Sequence, residues 1–296
     1  MSITTQPLTD EHLDDAIRFL RSANPFAEHT WGWETGRFLD WRWGGNILRE
    51  PGFFARNGTV IRRSNEIAAL VIAEGGAEDH CILTSTEDAE LVDFGLTWLI
   101  DERGARPSIF LPSDEATWLH EVLAAHGFEK GDVAEVGWGF DVTQIGDLPT
   151  VPEAFVIDRV HGESDYPEIA RCLEGAFGGE ADRLAVLESL ARNPGYRSDL
   201  NIVARTAGGR IASYCRGTVD VHSGLGSIDP VATHPDFQGN GIGRAVVLTC
   251  FAAQARLGGR EIYIGSGPDG SAGSGLYSKL NPISKITYSA WSRSPA

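Results

Sequence analysis

Apolar residues recur along this chain with two periods, and the changeovers between them mark out its elements. Leu13, Ala16, Ile17 and Leu20 follow Asp10 at helical spacing, which predicts a helix capped at Asp10 with one buried face. Strand-like runs follow at Gly58 to Arg63 and Ile67 to Ala73, separated by Ser64-Asn65. The same succession returns later in the chain. Phe155 to Val160 reads as a strand, and Asp165 precedes Ile169, Cys172, Leu173, Ala176 and Phe177 at helical spacing. A hairpin follows at Asn201 to Arg205 and Arg210 to Val219, turned at Gly208-Gly209. Each half then offers a further strand (Cys81 to Thr84; Leu225 to Thr233) and a long helix (Ala89 to Ile100; Gly243 to Leu257). A strand, a short helix and a final pair of strands complete each half. Between them, Asp147 to Pro152 holds two prolines and little periodicity, as a linker does. The expected fold class is mixed α/β, with two similar domains over residues 1–146 and 153–296.

Composition changes this picture little, but it narrows the partners. The 296 residues are 42% hydrophobic and 22% charged, enough apolar surface for real cores. A net charge of −16 argues against nucleic acid and against anionic membranes, both of which call for basic patches. An acidic surface attracts a cationic amine, or simply keeps the protein in solution. No apolar run approaches the roughly 18 residues of a membrane span, and Met1 to Asp10 lacks a basic region before an apolar one. The expected location is cytoplasmic, as a monomer or homodimer. Cys81, Cys172, Cys215 and Cys250 are scattered as free thiols would be, and His120 and His126 lack neighbours at ligand spacing, so no metal is expected.

The strongest local signal is Gln238-Gly239-Asn240-Gly241-Ile242-Gly243, between the strand ending at Thr233 and the helix starting near Gly243. Closely spaced glycines let backbone amides approach a ligand, and a helix N-terminus favours a pyrophosphate. A Walker loop would end in Gly-Lys-Ser/Thr, but Arg244-Ala245 follows here; a dinucleotide fingerprint would place glycine where Arg244 stands. A literal GxGxxG does occur at Gly265 to Gly270. No acidic residue follows Asp269 to hold a ribose, and glycines interrupt the next helix, so this second loop reads as a decoy.

The run from Asp229 through Pro230, Val231, Ala232, Thr233 and His234 to Arg244 resembles the acetyl-CoA-binding motif of GNAT N-acetyltransferases, including its Q/R-x-x-G-x-G/A core. The resemblance implies that amides of Gln238, Gly239, Asn240, Gly241, Ile242, Gly243 and Arg244 bind the CoA pyrophosphate. It implies too that the backbone of Val231, Ala232 and Thr233 pairs with the pantetheine arm, where the family's central strand pair splays.

Transfer from a thioester to an amine needs a neutral amine, a stabilised oxyanion and a proton for the departing thiolate. Leu276-Tyr277 occupies the place of the family's Leu-Tyr, so Tyr277 is the implied general acid, or else a packed tyrosine at a domain edge. The family's asparagine near that helix start is absent, and Leu280-Asn281-Pro282 replaces its Leu-Gly-Phe. Asp229 stands where relatives place a carboxylate that takes the amine proton; its other readings are an ammonium anchor or a strand end. An N–H near Val231 is the implied oxyanion donor. His234 reads as a turn residue.

In the first half the corresponding stretch is Ser85-Thr86-Glu87-Asp88, with no glycine and two acids, so no CoA site is expected there. Leu123 to Phe128 keeps the family's Gly-Phe with Leu123 in the tyrosine's place. The chain thus resembles a tandem GNAT protein with a degenerate first domain. Trp31, Trp33, Trp41 and Trp43 either pack in a core or line an acceptor pocket. The implied activity is acetyl transfer from acetyl-CoA to a primary amine of a small molecule or peptide. A noncatalytic acyl-CoA-binding regulator and a transferase of longer acyl chains are the alternatives.

Overall fold

The computed structural model describes residues 3–23, 32–44, 50, 52–75, 79–102, 108–179 and 182–293. In chain order the strands are β1 (Ile3–Pro7), β2 (Gly58–Arg63), β3 (Glu66–Ala73), β4 (Asp79–Thr84), β5 (Ser108–Ser113) and β6 (Glu129–Asp141). Then come β7 (Phe155–Arg159), β8 (Asn201–Thr206), β9 (Ile211–Gly217), β10 (Leu225–Thr233), β11 (Glu261–Ser266) and β12 (Ser284–Ser292). The helices are α1 (Leu13–Ser22), α2 (Thr35–Trp43), α3 (Phe53–Asn57), α4 (Ala89–Thr97) and α5 (Thr117–Ala125). They continue as α6 (Tyr166–Phe177), α7 (Arg183–Leu190), α8 (Ile242–Arg256) and α9 (Ala272–Tyr277). The fold is mixed α/β.

Two compact units contain these elements. The first holds Met1–Thr35, Glu50–Trp138 and Gly265–Ala296; the second holds Gly36–Arg49 and Gly139–Ile264. The units follow contacts rather than chain order, so α2 from the first half belongs to the second unit, and α9 and β12 from the second half belong to the first.

In the first unit β1, β2, β3 and β4 run as an antiparallel meander, β5 joins β4 in parallel, and β12 pairs antiparallel with β5. β12 lies between β5 and β6. Leu91, Leu96, Leu119 and Leu123 from α4 and α5 close over Ile61, Val71 and Ile82 of the sheet. Each such side chain contributes roughly 1.5–3 kcal/mol when taken fully out of water.

In the second unit β7, β8, β9 and β10 are antiparallel neighbours, and β11 runs parallel to β10. Alternation along β9 assigns its two faces. Cys215 donates its thiol to the Val246 carbonyl of α8 at 3.3 Å, and a Cβ on Gly217 would meet Cys250 of the same helix. Tyr214 looks the other way, into a cluster with Tyr166, Ile169 and Leu173 of α6 and Leu187 of α7.

The structure corrects several sequence expectations. The first helical segment is entered through Thr9 rather than Asp10: the Thr9 amide donates to His12 Nδ1 at 3.2 Å, and α1 starts at Leu13. β1 precedes it, unforeseen because Ile3 is the one large apolar residue in Ile-Thr-Thr-Gln-Pro. Each half ends in a single strand, β6 or β12, not a pair. Asp165 precedes α6 without capping it, because its carboxylate accepts from the His161 amide at 2.7 Å and from Arg205 at 2.5 and 3.0 Å. Asp147–Pro152 forms no helix or strand. Trp33 and Trp41 are buried, Trp43 is half-buried, and Trp31 lies outside the described residues.

Candidate active site

β10 carries the site's main geometric feature. Its parallel pairing with β11 covers Leu225↔Glu261 to Ser227↔Tyr263 and, among the described residues, goes no further. Its antiparallel pairing with β9 continues to Thr233↔Ser213, with a bulge between Ile228 and Val231. Pro230 lies in that bulge and has no N–H to give a ladder. Beyond Ser227 the β11-side edge of β10 therefore leaves the sheet's hydrogen-bond ladder. Gln254 of α8, fully buried, holds the strands just before this divergence: its Nε2 donates to the carbonyls of Thr218 (2.8 Å) and Ser227 (3.0 Å).

Past the open edge two side chains hold the backbone. Ser213 Oγ donates to the Ala232 carbonyl at 2.7 Å, and Gln238 Nε2 donates to the Thr233 carbonyl at 3.3 Å. His234 accepts from the Asp236 amide at 3.3 Å, and a Cβ added to Gly175 of α6 would lie 2.4 Å from its ring, so it is wedged in the turn.

The chain then enters α8 through Gly239 (φ +79°) and Gly241 (φ +75°), the left-handed conformation that only glycine adopts without strain. Asn240 ties the turn by donating to the carbonyls of Phe237 (3.1 Å) and Gln238 (3.3 Å). Ile242 is buried and anchors the first turn. The first helical bond runs from the Ala245 amide to the Gly241 carbonyl (3.1 Å), which leaves the amides of Ile242, Gly243 and Arg244 outside the ladder. The N-cap residue Gly241 has no side chain to cap them, and a Cβ on Gly239 or Gly241 would point into open space. The N-terminus of a 15-residue helix, with amides outside the helical ladder and open space beside Gly239 and Gly241, fits a phosphate group.

The other sequence candidates separate. Asp229, in the bulge, is exposed and belongs to the second unit with the loop. Tyr277 ends α9, is 5% exposed, and belongs to the first unit. Around it, Ser271 caps α9 by accepting from the Ser274 amide at 3.2 Å, and Ser274 Oγ donates to Asp269. Asp269 pairs with Lys285 at 2.8 Å, and both contacts hold its carboxyl below the usual range. Among the described residues no group of three His, Cys, Asp or Glu side chains is placed to hold a metal ion.

Sequence reading passed over one cluster altogether. Arg216, 4% exposed in β9, makes a bidentate pair with Asp40 of α2 at 2.6 and 2.8 Å, and Asn193 Nδ2 donates to the same carboxylate at 2.9 Å. A charged residue inside the otherwise uncharged strand Ile211–Gly217 was the available signal.

The first half shows the counter-case. Asp88 precedes α4, and its carboxylate accepts from the Leu91 amide at 2.9 Å while pairing with Arg63 at 2.9 Å. Here the helix N-terminus is filled by the chain itself.

A splayed strand leads through a glycine turn into an open helix N-terminus, a geometry suited to an anionic, phosphate-bearing group at the end of the sheet. Residues 166–281 match the Acetyltransferase (GNAT) family, and the chain carries a domain of that family. The structure is similar along nearly its whole length to a GCN5-related N-acetyltransferase from Sphaerobacter thermophilus (TM-score 0.66, 17% identity, 98% of this chain and 94% of that one). It is similar also to a tandem GNAT protein from the clavulanic acid biosynthesis pathway (TM-score 0.66, 13% identity, all of both chains). A GNAT-family acetyltransferase from Colwellia psychrerythraea matches at TM-score 0.63 with 9% identity, over 99% of this chain and 100% of that one. At these identities the likeness is one of fold. A search of curated proteins finds no match. The fold is one that supports acyl transfer, and no helix among the described residues is long and apolar enough to cross a membrane.

Proposed function

We propose that the protein is an N-acetyltransferase that moves an acetyl group from acetyl-CoA to a primary amine of a small molecule or peptide. The observation that carries the reading is the uncapped N-terminus of α8 at Gly241, placed directly after a strand whose pairing with β11 stops at Ser227. Acetyl-CoA, when bound, supplies an activated thioester. The free amides of Ile242, Gly243 and Arg244, with those of the preceding turn from Gln238, hold its pyrophosphate. The backbone of Val231, Ala232 and Thr233 aligns its pantetheine arm along the open edge.

Asp229 receives the proton of the attacking amine, directly or through water, as a new C–N bond forms and the C–S bond breaks. An amide near Val231 faces the developing oxyanion. Tyr277 gives its hydroxyl proton to the departing thiolate. Residues 1–146 and 153–296 are read as two related halves, the first without a CoA loop because Asp88 stands in its place. The protein acts as a monomer or homodimer in the cytoplasm.

A mass-spectrometric screen of amines and peptides with acetyl-CoA tests the activity. The expected result is an acetylated amine together with free CoA. Binding of CoA with no amine acetylated, and no change on Tyr277→Phe, would leave a noncatalytic binding protein instead.

A further inference from the structure

The bulge in β10 has a face, and strand alternation identifies it. Ile228 lies opposite Gly217 and Val231 opposite Cys215, and both β9 residues look toward α8. The two residues between them, Asp229 and Pro230, stand opposite the single residue Arg216. By alternation from either side, both fall on Arg216's face of the sheet. Arg216 is fixed there: Asp40 grips both of its terminal nitrogens, and Asn193 holds Asp40, with the Gly195 amide donating to Asn193 Oδ1 at 2.7 Å.

We propose that Arg216 is the positioning residue for Asp229, and that Asp40, contributed by a helix of the first half of the chain, sets the guanidinium in place. The proposal rests on the acetyltransferase reading above and on Asp229 as the proton acceptor. It gives the first half a task in the second half's chemistry, although its own loop carries no anion site.

The chemistry is that of a buried bidentate pair. Lysine cannot replace the fork, because a point charge fixes no plane. Burial pushes the Arg216 pKa down, but the charge and hydrogen bonds of Asp40, with smaller contributions from Tyr214 and then Asp229, more than reverse this and keep the guanidinium charged. A fixed cation facing the bulge attracts the Asp229 carboxylate and limits its orientations. Phenols stand nearby: Tyr214 of β9 donates to Asn201 Oδ1 at 2.7 Å, and the hydroxyls of Tyr166 and Tyr196 are 3.5 Å apart. Burial pushes the pKa values of both Tyr196 and Tyr214 up, so neither adds a competing negative charge.

A double-mutant cycle on the full-length protein tests the proposal with the amine found by the screen. Arg216→Lys and Asp40→Asn are each made in the wild-type and Asp229→Asn backgrounds, and kcat, KM for acetyl-CoA and Tm are measured. Acting through Asp229, each substitution lowers kcat by about tenfold in the wild type and by less than about twofold in Asp229→Asn. KM for acetyl-CoA stays within about twofold, because the phosphate turn is untouched. Equal losses in both backgrounds, or a raised KM that tracks a lowered Tm, would reduce the pair to a structural strut and overturn the proposal. Full activity in Asp229→Asn removes the proton acceptor and the proposal together. No turnover by the wild type on any amine withdraws the acetyltransferase reading itself.

Discussion

The carboxylate of Asp88 accepts from the amide of Leu91 at 2.9 Å, so the first turn of α4 is closed by the chain's own side chain. At the equivalent entry to α8 stands Gly241, with no side chain at all. One residue type separates a helix sealed by its own side chain from one without a capping side chain. Asp88→Ala is expected to cost about 1 kcal/mol, the usual worth of such a cap. The check is the midpoint of a denaturant titration, with acetyl-CoA affinity unchanged.

Tyr277 is buried, so phenylalanine fills its place without a cavity. In the proposed role of proton donor, Tyr277→Phe is expected to lower kcat by about a hundredfold, with KM for acetyl-CoA within about twofold. Steady-state kinetics on the amine from the screen supply the comparison.

Gln254 sits fully buried in α8 and joins the carbonyls of Thr218 and Ser227. Gln254→Leu preserves helix propensity and approximate volume but removes both bonds. The expected loss is about 1–3 kcal/mol, read from thermal unfolding, because a buried carbonyl deprived of its donor keeps its desolvation cost.

Burial raises the pKa of Asp165, but its bonds to Arg205 and the His161 amide, with the Arg205 charge, outweigh this and leave it below the usual value. A carboxyl depressed by folding adds stability above its unfolded pKa, and loses it as pH falls through the folded value. Wild type is therefore expected to exceed Asp165→Asn in Tm by a constant margin above about pH 5, shrinking below roughly pH 3.9. A margin independent of pH would show that the ion pair contributes nothing.

Much of this was legible in sequence because local patterns carried it. Gly58–Arg63 and Leu225–Thr233 appear as strands with the expected ends, since apolar runs bounded by turn residues need no distant partner to be recognised. The glycine turn was legible because backbone geometry demands its residue type: Gly239 and Gly241 both have positive φ. What stayed hidden depends on pairing at long range. Asp40 meets Arg216 across 176 positions, and neither residue announces the other. The membership of β12 in the first unit, and of α2 in the second, has no local signature either. Asp165 misled for a related reason: its sequence position is that of a cap, but Arg205, 40 residues on, takes its carboxylate.

The central claim is that the open N-terminus of α8 holds acetyl-CoA. Calorimetric titration of the full-length chain with acetyl-CoA, beside Gly241→Asp, tests it most directly. Aspartate tolerates the left-handed conformation better than most residues, and it would put a carboxylate at the helix N-terminus as Asp88 does for α4. The expected result is one site per chain in the wild type, and affinity at least about tenfold weaker in Gly241→Asp, or about 1.4 kcal/mol. Equal affinity in both proteins, or two sites per chain, would contradict the account.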